Sequence, residues 1–377
     1  MLIIKNSLIK QYKILYYLME KINLNNKKII SAKYGALDKY INVLNILNNI
    51  IKLDTKIIIN NKTFKKDPYY GKVKKLIIIL DTKEVYTIKE NEKLYIMSYN
   101  KNDSTFVKKS DVLCVTTFNS KLYKEYAYRF IKTYNLPFDL IVYSEDNIEH
   151  IKNDVNKNVN IKTLNINKVC PEIVNFINRN KERNVVDVEK GGFRLNAIRF
   201  CYKVFAVTHA GLNFNDYKYL IWLDADMVFK IPLTTDILEK YFIKKTNMMS
   251  YLGRTKTKRV KQYHSDCGFL IFNMKHKYII NYMIEMKRMY TSNDIYKERE
   301  WHDSYIWDLV RKRFEKKFKI LNYDIGLKYS KGECKFNHVL TATPLFNYID
   351  HLKGNIRKKL GTSDIKTFNN YLKEHKK

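Results

Sequence analysis

The chain has 377 residues, which is enough for two domains of ordinary size, and its 45% hydrophobic and 14% aromatic content excludes disorder as its main character. Lys and Arg number 70 against 38 Asp and Glu, which gives a formal net charge of +32. Such a basic balance is typical of proteins that bind polyanions, but the Lys excess accompanies abundant Ile, Asn and Tyr, as AT-rich codons also produce. We interpret codon bias as the larger cause. Nucleic acid and peripheral contact with an anionic membrane surface stay open as less favoured partners.

The cysteines give an indication of the compartment. They are odd in number, far apart in the chain and never arranged as a Cys-x-x-Cys pair. This spacing predicts reduced, mostly buried thiols, a cytoplasmic location (the host cytoplasm, if the source is a virus) and no structural zinc. The five are Cys114, Cys170, Cys201, Cys267 and Cys334.

The first hundred residues differ from the rest in their sequence pattern. In residues 1–22, Lys5, Lys10 and Lys13 interrupt any signal-like apolar core, which favours an amphipathic helix. No run of the sequence approaches the roughly 18 to 20 apolar residues of a membrane span. Short β-branched runs then flank turn signals at Asn60-Asn61 and Asp67-Pro68. We expect a small β-rich module of unknown role over residues 1–105, a linker around 99–110 and a catalytic domain over 106–377.

Apolar strands and amphipathic helices alternate in this second domain. Alternation of this kind indicates an α/β fold with a mostly parallel sheet and helices on both faces. Ligands of such sheets collect at the carboxyl ends of the strands. The predicted strands are DVLCVTTF, FDLIVYSE, NIKTLNI and YLIWLDADMVF, and the predicted helices are SKLYKEYAYRFIKTY, PEIVNFINRN and FRLNAIRFCYKVFAVTHA.

Two aspartates interrupt the apolar run YLIWLDADMVFKIPL, and their spacing suggests a metal site. Buried carboxylates without a partner are costly, so Asp224 and Asp226 either reach water or hold a cation. Residues i and i+2 of an extended segment point to the same side, which lets the two carboxylates converge on one ion. Hard oxygen ligands suit Mg²⁺ or Mn²⁺. A pair of capped or solvated turn carboxylates is the alternative interpretation.

From about residue 111 to about residue 358 the chain resembles the GT-A glycosyltransferases, most nearly the glycogenin and galactosyltransferase-like family. The resemblance rests on the Asp-x-Asp motif, on VTTFNSKLYKEYA, HSDCGFLIFNMKH and EREWHDSYIWDLV, and on the ending YIDHLKGNIRKKL. It implies the GT-A fold and a Mn²⁺ or Mg²⁺ ion held by Asp224, Asp226 and His351. In the ending, Gly354 and Arg357 take the family's pyrophosphate-binding positions, although the family's usual Lys-Pro-Trp is absent.

The same resemblance implies roles for six more residues. Thr117, Asn119 and Tyr123 fall where the family holds the nucleoside, although Tyr123 needs a one-residue insertion to match. Lys203 takes the position of a lysine that contacts the donor. Two aspartates are implied to be catalytic: Asp266 as a ligand of sugar hydroxyls, and Asp303 as a contact of the donor sugar or the acceptor.

These residues together predict a metal-dependent, hexosyltransferase-like enzyme. It would move a sugar from a nucleoside-diphosphate-sugar, with UDP-sugars favoured, to a hydroxyl of a glycan, protein or lipid. Two alternatives stay open: a glycan- or nucleic-acid-binding protein with a degenerate transferase fold, and a nucleotidyltransferase. Two same-side aspartates fit a glycoside hydrolase poorly, because its carboxylates flank the scissile bond.

Overall fold

The chain divides into two compact units, residues 1–105 and 106–377, in the computed structural model. The structure describes residues 19–23, 28–53, 56–97, 106–146, 151–154, 158–183, 192–255, 264–331, 339–364, 367 and 369–370. Most of the predicted opening helix, most of the predicted linker and Cys334 lie outside these ranges. The other four cysteines are free and buried, as predicted.

The first unit is β-rich, as predicted. An antiparallel sheet has the strand order β3-β2-β5-β6, and a smaller sheet has the order β1-β7-β4. Its core includes Tyr34, Leu76 and Ile78, none of which is exposed to solvent. The strands are β1 (Met19–Asn23), β2 (Ile29–Ala36), β3 (Lys39–Asn42), β4 (Lys56–Ile58), β5 (Lys75–Leu80), β6 (Val85–Lys89) and β7 (Lys93–Met97), and the helices are α1 (Leu44–Leu53) and α2 (Asn61–Phe64).

The prediction of an opening helix is wrong for its last residues. Residues 19–22 belong to strand β1, which pairs in parallel with β7 from Met19 opposite Lys93 to Asn23 opposite Met97. Pairing with a strand distant in sequence supplies the backbone hydrogen bonds of this segment, and such tertiary pairing overrides local helical periodicity.

The second unit is built on a seven-stranded sheet with the order β10-β9-β8-β11-β14-β13-β15. Six strands run in one direction, and only β14 runs against its neighbours β11 and β13. The strands are β8 (Val112–Phe118), β9 (Asp139–Ser144), β10 (Ile161–Asn165), β11 (Tyr219–Leu223), β13 (Met249–Leu252), β14 (Asp266–Asn273) and β15 (Tyr323–Asp324); β12 (Met227–Phe229) and β16 (Ile349–His351) pair as a separate ribbon.

Helices cover both faces of this sheet. Alternate residues of the central strands point to opposite sides, so Val115 and Trp222 join one hydrophobic core while Cys114 and Ile221 join the other. The mostly parallel α/β architecture of the prediction is therefore confirmed. The helices are α3 (Ser120–Leu122, continued by the π segment Tyr123–Ala127 and by Tyr128–Thr133), α4 (Ile151–Asp154), α5 (Ile166–Val169), α6 (Pro171–Asn180), α7 (Ala197–Asn213), α8 (Thr235–Ile237 with the π segment Leu238–Phe242), α9 (Ile279–Thr291), α10 (Asp303–Phe318), α11 (Ile325–Ser330) and α12 (Asn355–Leu360).

Three neighbouring strands position the candidate site. Strands β8, β9 and β11 run in parallel, so their last residues, Phe118, Ser144 and Leu223, lie at one edge of the sheet. Strand β14 starts at this same edge with Asp266, because it runs the other way. Among the described residues, no helix combines the length and the apolar character needed to span a membrane.

Candidate active site

The two aspartates of the Asp-Ala-Asp motif lie in a tight turn between β11 and β12, and the prediction of an extended segment here is wrong. The Met227 N–H donates to the Asp224 carbonyl at 3.2 Å, which closes the turn, and the Asp224 N–H donates to the Gly268 carbonyl at 2.9 Å. The i, i+2 argument therefore does not explain how the carboxylates meet. They meet because the turn directs both towards His351.

His351 comes from β16, which pairs with β12 so that His351 lies opposite Met227. Its Nε2 is 3.1 Å from Asp226 Oδ1 and 3.7 Å from Asp224 Oδ2. One ligand atom from each of the three residues lies within 4.8 Å of the others. Two carboxylates and one imidazole suit Mn²⁺ or Mg²⁺. Gly268 leaves room for the buried imidazole, because a Cβ at this position would stand 2.5 Å from His351 Cε1. The three residues therefore fit a metal ion both in their ligand types and in their positions.

Opposite charges shift the pKa values of two of these groups, Asp226 and His351. Burial opposes the charge on Asp226, but His351 and Lys358, whose Nζ is 3.1 Å away, outweigh it and hold the pKa of Asp226 below its ordinary value. Burial likewise lowers the pKa of His351, while attraction to Asp226 and then to Asp266 and Asp224 gives a net increase. The site therefore concentrates negative charge that positive neighbours balance.

Lys203 joins the turn of Asp224 and Asp226 to the start of α10. Its Nζ lies 2.7 Å from Asp224 Oδ1 and 2.5 Å from Asp303 Oδ2, and it donates to the Cys267 carbonyl at 3.1 Å. Burial lowers its pKa, but the two carboxylates outweigh this and raise the pKa of Lys203 overall. The structure thus brings three of the predicted residues, Lys203, Asp224 and Asp303, into one network of ion pairs.

Asp266 lies behind His351, fully covered from solvent. It accepts hydrogen bonds from the Gly268 N–H and from Lys353 Nζ, both at 2.9 Å, and it pairs with Arg254. Lys353 and Arg254 outweigh burial and hold the pKa of Asp266 well below its usual range. Its Oδ1 is 3.8 Å from His351 Nδ1. The ring of His351 therefore lies between Asp226 on its Nε2 side and Asp266 on its Nδ1 side.

Polar side chains at the ends of β8 and β9 converge on Glu145. Thr117 donates to the Tyr143 carbonyl at 2.8 Å and to Glu145 Oε1 at 3.4 Å, and Asn119 Nδ2 donates to Glu145 Oε2 at 3.1 Å. Asn119 Oδ1 also caps α3 by accepting the Leu122 N–H at 2.9 Å. Burial raises the pKa of Glu145 to about 7, although the hydrogen bonds from Asn119 and Thr117 oppose this.

Tyr123 is separated from this group. Its ring is 7% exposed and stacks on Phe118 with the centroids 5.7 Å apart, and its hydroxyl donates to Asp154. The ring therefore belongs to the core of one sheet face.

The last predicted residues surround the start of α12. Gly354 has a φ of +90°, and no atom lies within 4 Å of the position where a Cβ would be. Arg357 is buried and donates to the Lys353 carbonyl at 3.2 Å. It is Lys358 that reaches Asp226, with its Nζ 4.0 Å from the centre of the Tyr126 ring.

Sequence reasoning missed Glu145, Arg254, Lys353 and Lys358. A usable signal existed for Glu145, because it directly follows a strand that ends at the ligand-binding edge. Lys358 follows Arg357 in the chain, and only the local helix geometry decides which of the two reaches Asp226. Arg254 and Lys353 meet at Asp266 from distant segments, so no local spacing indicates them.

No protein-family model matches the sequence, and no curated relative matches it. Solved structures similar to it include the bifunctional glycosyltransferase WbbM (12% identity, 64% of this chain and 43% of that chain, TM-score 0.35). Another is mouse xyloside xylosyltransferase 1 (10% identity, 65% and 98% of the two chains, TM-score 0.38). A third is the glycosyltransferase GlyE of Streptococcus pneumoniae (11% identity, 70% and 63%, TM-score 0.35). The chain spans less than half the length of WbbM.

Proposed function

We propose that this chain is a metal-dependent glycosyltransferase that moves a sugar from a nucleoside-diphosphate-sugar, with a UDP-sugar as the first choice, to a hydroxyl of a glycan, protein or lipid. One observation carries the proposal: Asp224, Asp226 and His351 converge within 4.8 Å at the carboxyl edge of the sheet. This edge is where α/β sheets bind ligands, and the donor set suits a cation that also binds substrate phosphates.

Asp224, Asp226 and His351 would hold Mn²⁺ or Mg²⁺, which supplies charge neutralisation for the departing diphosphate when it is bound. Asp266 supports this role, because a carboxylate behind a ligating histidine fixes the orientation of its ring. Its Oδ1 stands 3.8 Å from His351 Nδ1.

The residues around α12 support binding of the diphosphate. Lys353, Arg357 and Lys358 bring three positive charges to the segment 353–358, and such groups form strong charge-assisted hydrogen bonds with phosphate oxygens. The open space beside Gly354 permits close approach of a phosphate to the backbone. A diphosphate would also compete with Asp226 for Lys358.

Thr117, Asn119 and Glu145 support a place for the nucleoside at the ends of β8 and β9. Their hydroxyl, amide and carboxyl groups can exchange hydrogen bonds with ribose hydroxyls or a base edge. Lys203 would hold Asp303 beside Asp224 and so keep a carboxylate close to the reacting sugar.

Release of nucleoside diphosphate from a panel of nucleotide-sugars, with and without Mn²⁺, tests the proposal. We expect metal-dependent release from one donor, loss of that release in Asp226→Asn, and full activity in Asp216→Asn, an acid-to-amide change at an exposed aspartate. Release of pyrophosphate from a nucleoside triphosphate instead would indicate a nucleotidyltransferase. Absence of turnover with every donor and metal, together with absence of metal-linked nucleotide binding in calorimetry, would overturn the proposal in favour of a binding protein.

A further inference from the structure

A second group of metal-ligating side chains lies where two segments meet, one just before β14 and one just before α10. His302 Nε2 is 2.9 Å from Glu300 Oε2, and His264 Nε2 is 3.4 Å from the same oxygen. The three donor atoms lie within 4.8 Å of one another. The contact between His302 and Glu300 is a direct hydrogen bond, and the three donor atoms are close enough together to surround one shared cation.

The surroundings of this group favour ligation. Glu300 and His302 are buried and His264 is half-buried, so the group is partly open to solvent on the His264 side. Aromatic rings surround the histidines: Tyr305 packs edge-on to His264 at 5.1 Å, and Phe193 lies 6.1 Å from His302.

One oxygen of the Glu300 carboxylate is directed at the histidines, because the other oxygen pairs with a charged neighbour. Arg299 Nη2 pairs with Glu300 Oε1 at 3.1 Å, while Oε2 faces both imidazoles. On the other side of the His302 ring, Nδ1 lies 3.9 Å from Asp303 Oδ1. This separation is longer than a hydrogen bond, but a carboxylate on the side of the second ring nitrogen is common around ligating histidines.

From this geometry we propose that His264, Glu300 and His302 form a second metal site, selective for Zn²⁺ or a similar divalent transition metal, whose existence does not depend on the glycosyltransferase activity proposed above. Two His and one Glu are a known ligand set of zinc sites in which a water completes the coordination. The Asp224, Asp226 and His351 set is richer in hard carboxylate oxygens, so the two sites differ in metal preference. The cysteine spacing predicts that no structural zinc is held by thiolates. It carries no information about histidines that lie 38 residues apart in the sequence.

Such an ion would tie the start of β14 to the start of α10. Asp303 follows His302 directly and pairs with Lys203, so bound metal would hold this aspartate in place from a second side. The ion would also neutralise Glu300.

Zinc binding to the metal-stripped, tag-free full chain tests the proposal. A chromophoric chelator competes for Zn²⁺ in an Asp224→Asn/Asp226→Asn background, which silences the first site. We expect one equivalent of Zn²⁺ to bind this background. In His264→Asn and in Glu300→Gln the affinity should fall by more than about tenfold, the lower end of what loss of an outer partner already costs. His276→Asn is the matched control, because His276 lies outside both metal-ligating groups, and it should leave the affinity unchanged.

A second measurement needs no substitution in the new site. Co²⁺ added to the same background should give the visible absorption of a four-coordinate ion. An Asp224→Asn/Asp226→Asn chain that binds no Zn²⁺, or His264→Asn and Glu300→Gln chains that bind it as tightly as the background, would overturn the proposal. Because the measurement is metal binding, its outcome does not depend on whether any sugar is transferred.

Discussion

Gly268 lies directly against the imidazole of His351. A Cβ at position 268 would stand 2.5 Å from His351 Cε1 and 2.8 Å from Nδ1, both inside van der Waals contact. His351 has little freedom to retreat, because its backbone pairs with β12 and its ring lies between Asp226 and Asp266. The glycine therefore provides the space that the ring of His351, the third proposed metal ligand, occupies.

Gly268→Ala should displace the His351 ring and separate its Nε2 from the two aspartates. We expect Mn²⁺ affinity to fall by more than about tenfold, and overpacking to cost roughly 1 to 3 kcal/mol of unfolding free energy. Calorimetric titration with Mn²⁺ measures the first effect and urea unfolding the second. Gly211→Ala is a matched control, because the atoms nearest its new Cβ belong to the flexible side chain of Met283. Unchanged Mn²⁺ affinity in Gly268→Ala would remove His351 from the metal site.

Lys203→Met should destabilise the fold, since it leaves Asp224 and Asp303 facing each other without the cation between them. Removing one partner of a buried ion pair typically costs about 3 to 5 kcal/mol. Urea unfolding at neutral pH checks this. Adding Asp303→Asn to the same chain should recover part of the loss, and a double change that is merely additive would show that the two residues do not interact.

The α/β architecture was predictable because it depends on patterns that extend over many residues. Apolar strands such as 112–118 and 219–223 are buried on both faces, and their composition shows it. The pairing of residues 19–23 with 93–97 was not predictable, since nothing local in a short mixed segment indicates a strand partner more than seventy residues away.

The candidate site likewise has a part that could be predicted from the sequence and a part that could not. Asp224, Asp226 and His351 belong to spaced motifs, and the structure brings them together. The positions of Asp266 and Tyr123 depend on which neighbours reach them: Arg254 and Lys353 enclose the first, and Phe118 packs on the second. Contacts of this kind are set by tertiary packing, so motif spacing could not have shown them.

Asp266→Asn should weaken divalent-ion binding, although Asp266 is not among the three predicted ligands. The amide keeps the size of the side chain but loses the charge that faces His351 Nδ1, and changes of this kind typically cost about 10- to 100-fold in metal affinity. Mn²⁺ titration measures this. If Asp266 instead bound sugar hydroxyls, the variant would keep its Mn²⁺ affinity and show a higher KM for the donor or the acceptor.

Glu145→Gln should change how stability depends on pH. Burial raises the pKa of Glu145 from its ordinary 4.5 to about 7, so between these values the folded chain binds a proton that the unfolded chain releases. The unfolding free energy therefore falls as pH rises through this window, and the loss is complete above pH 7. Glutamine does not titrate, so the unfolding free energy of the unaltered chain minus that of the variant should fall between pH 4.5 and 8. Because Glu145 is half-buried, the fall should be at most about 3 kcal/mol.

Urea unfolding at several pH values, carried out in parallel on both chains, gives this difference directly. Glu125→Gln is the matched control, because Glu125 is exposed and loosely paired with Lys121 at 4.0 Å, so this change should have little effect on the unfolding free energy. A flat difference curve for Glu145→Gln would mean that Glu145 is ionised at pH 5 in the folded chain. In that case Thr117 and Asn119 would donate to a charged carboxylate throughout the physiological range, and the edge of the sheet beside Asp224 and Asp226 would carry one more negative charge.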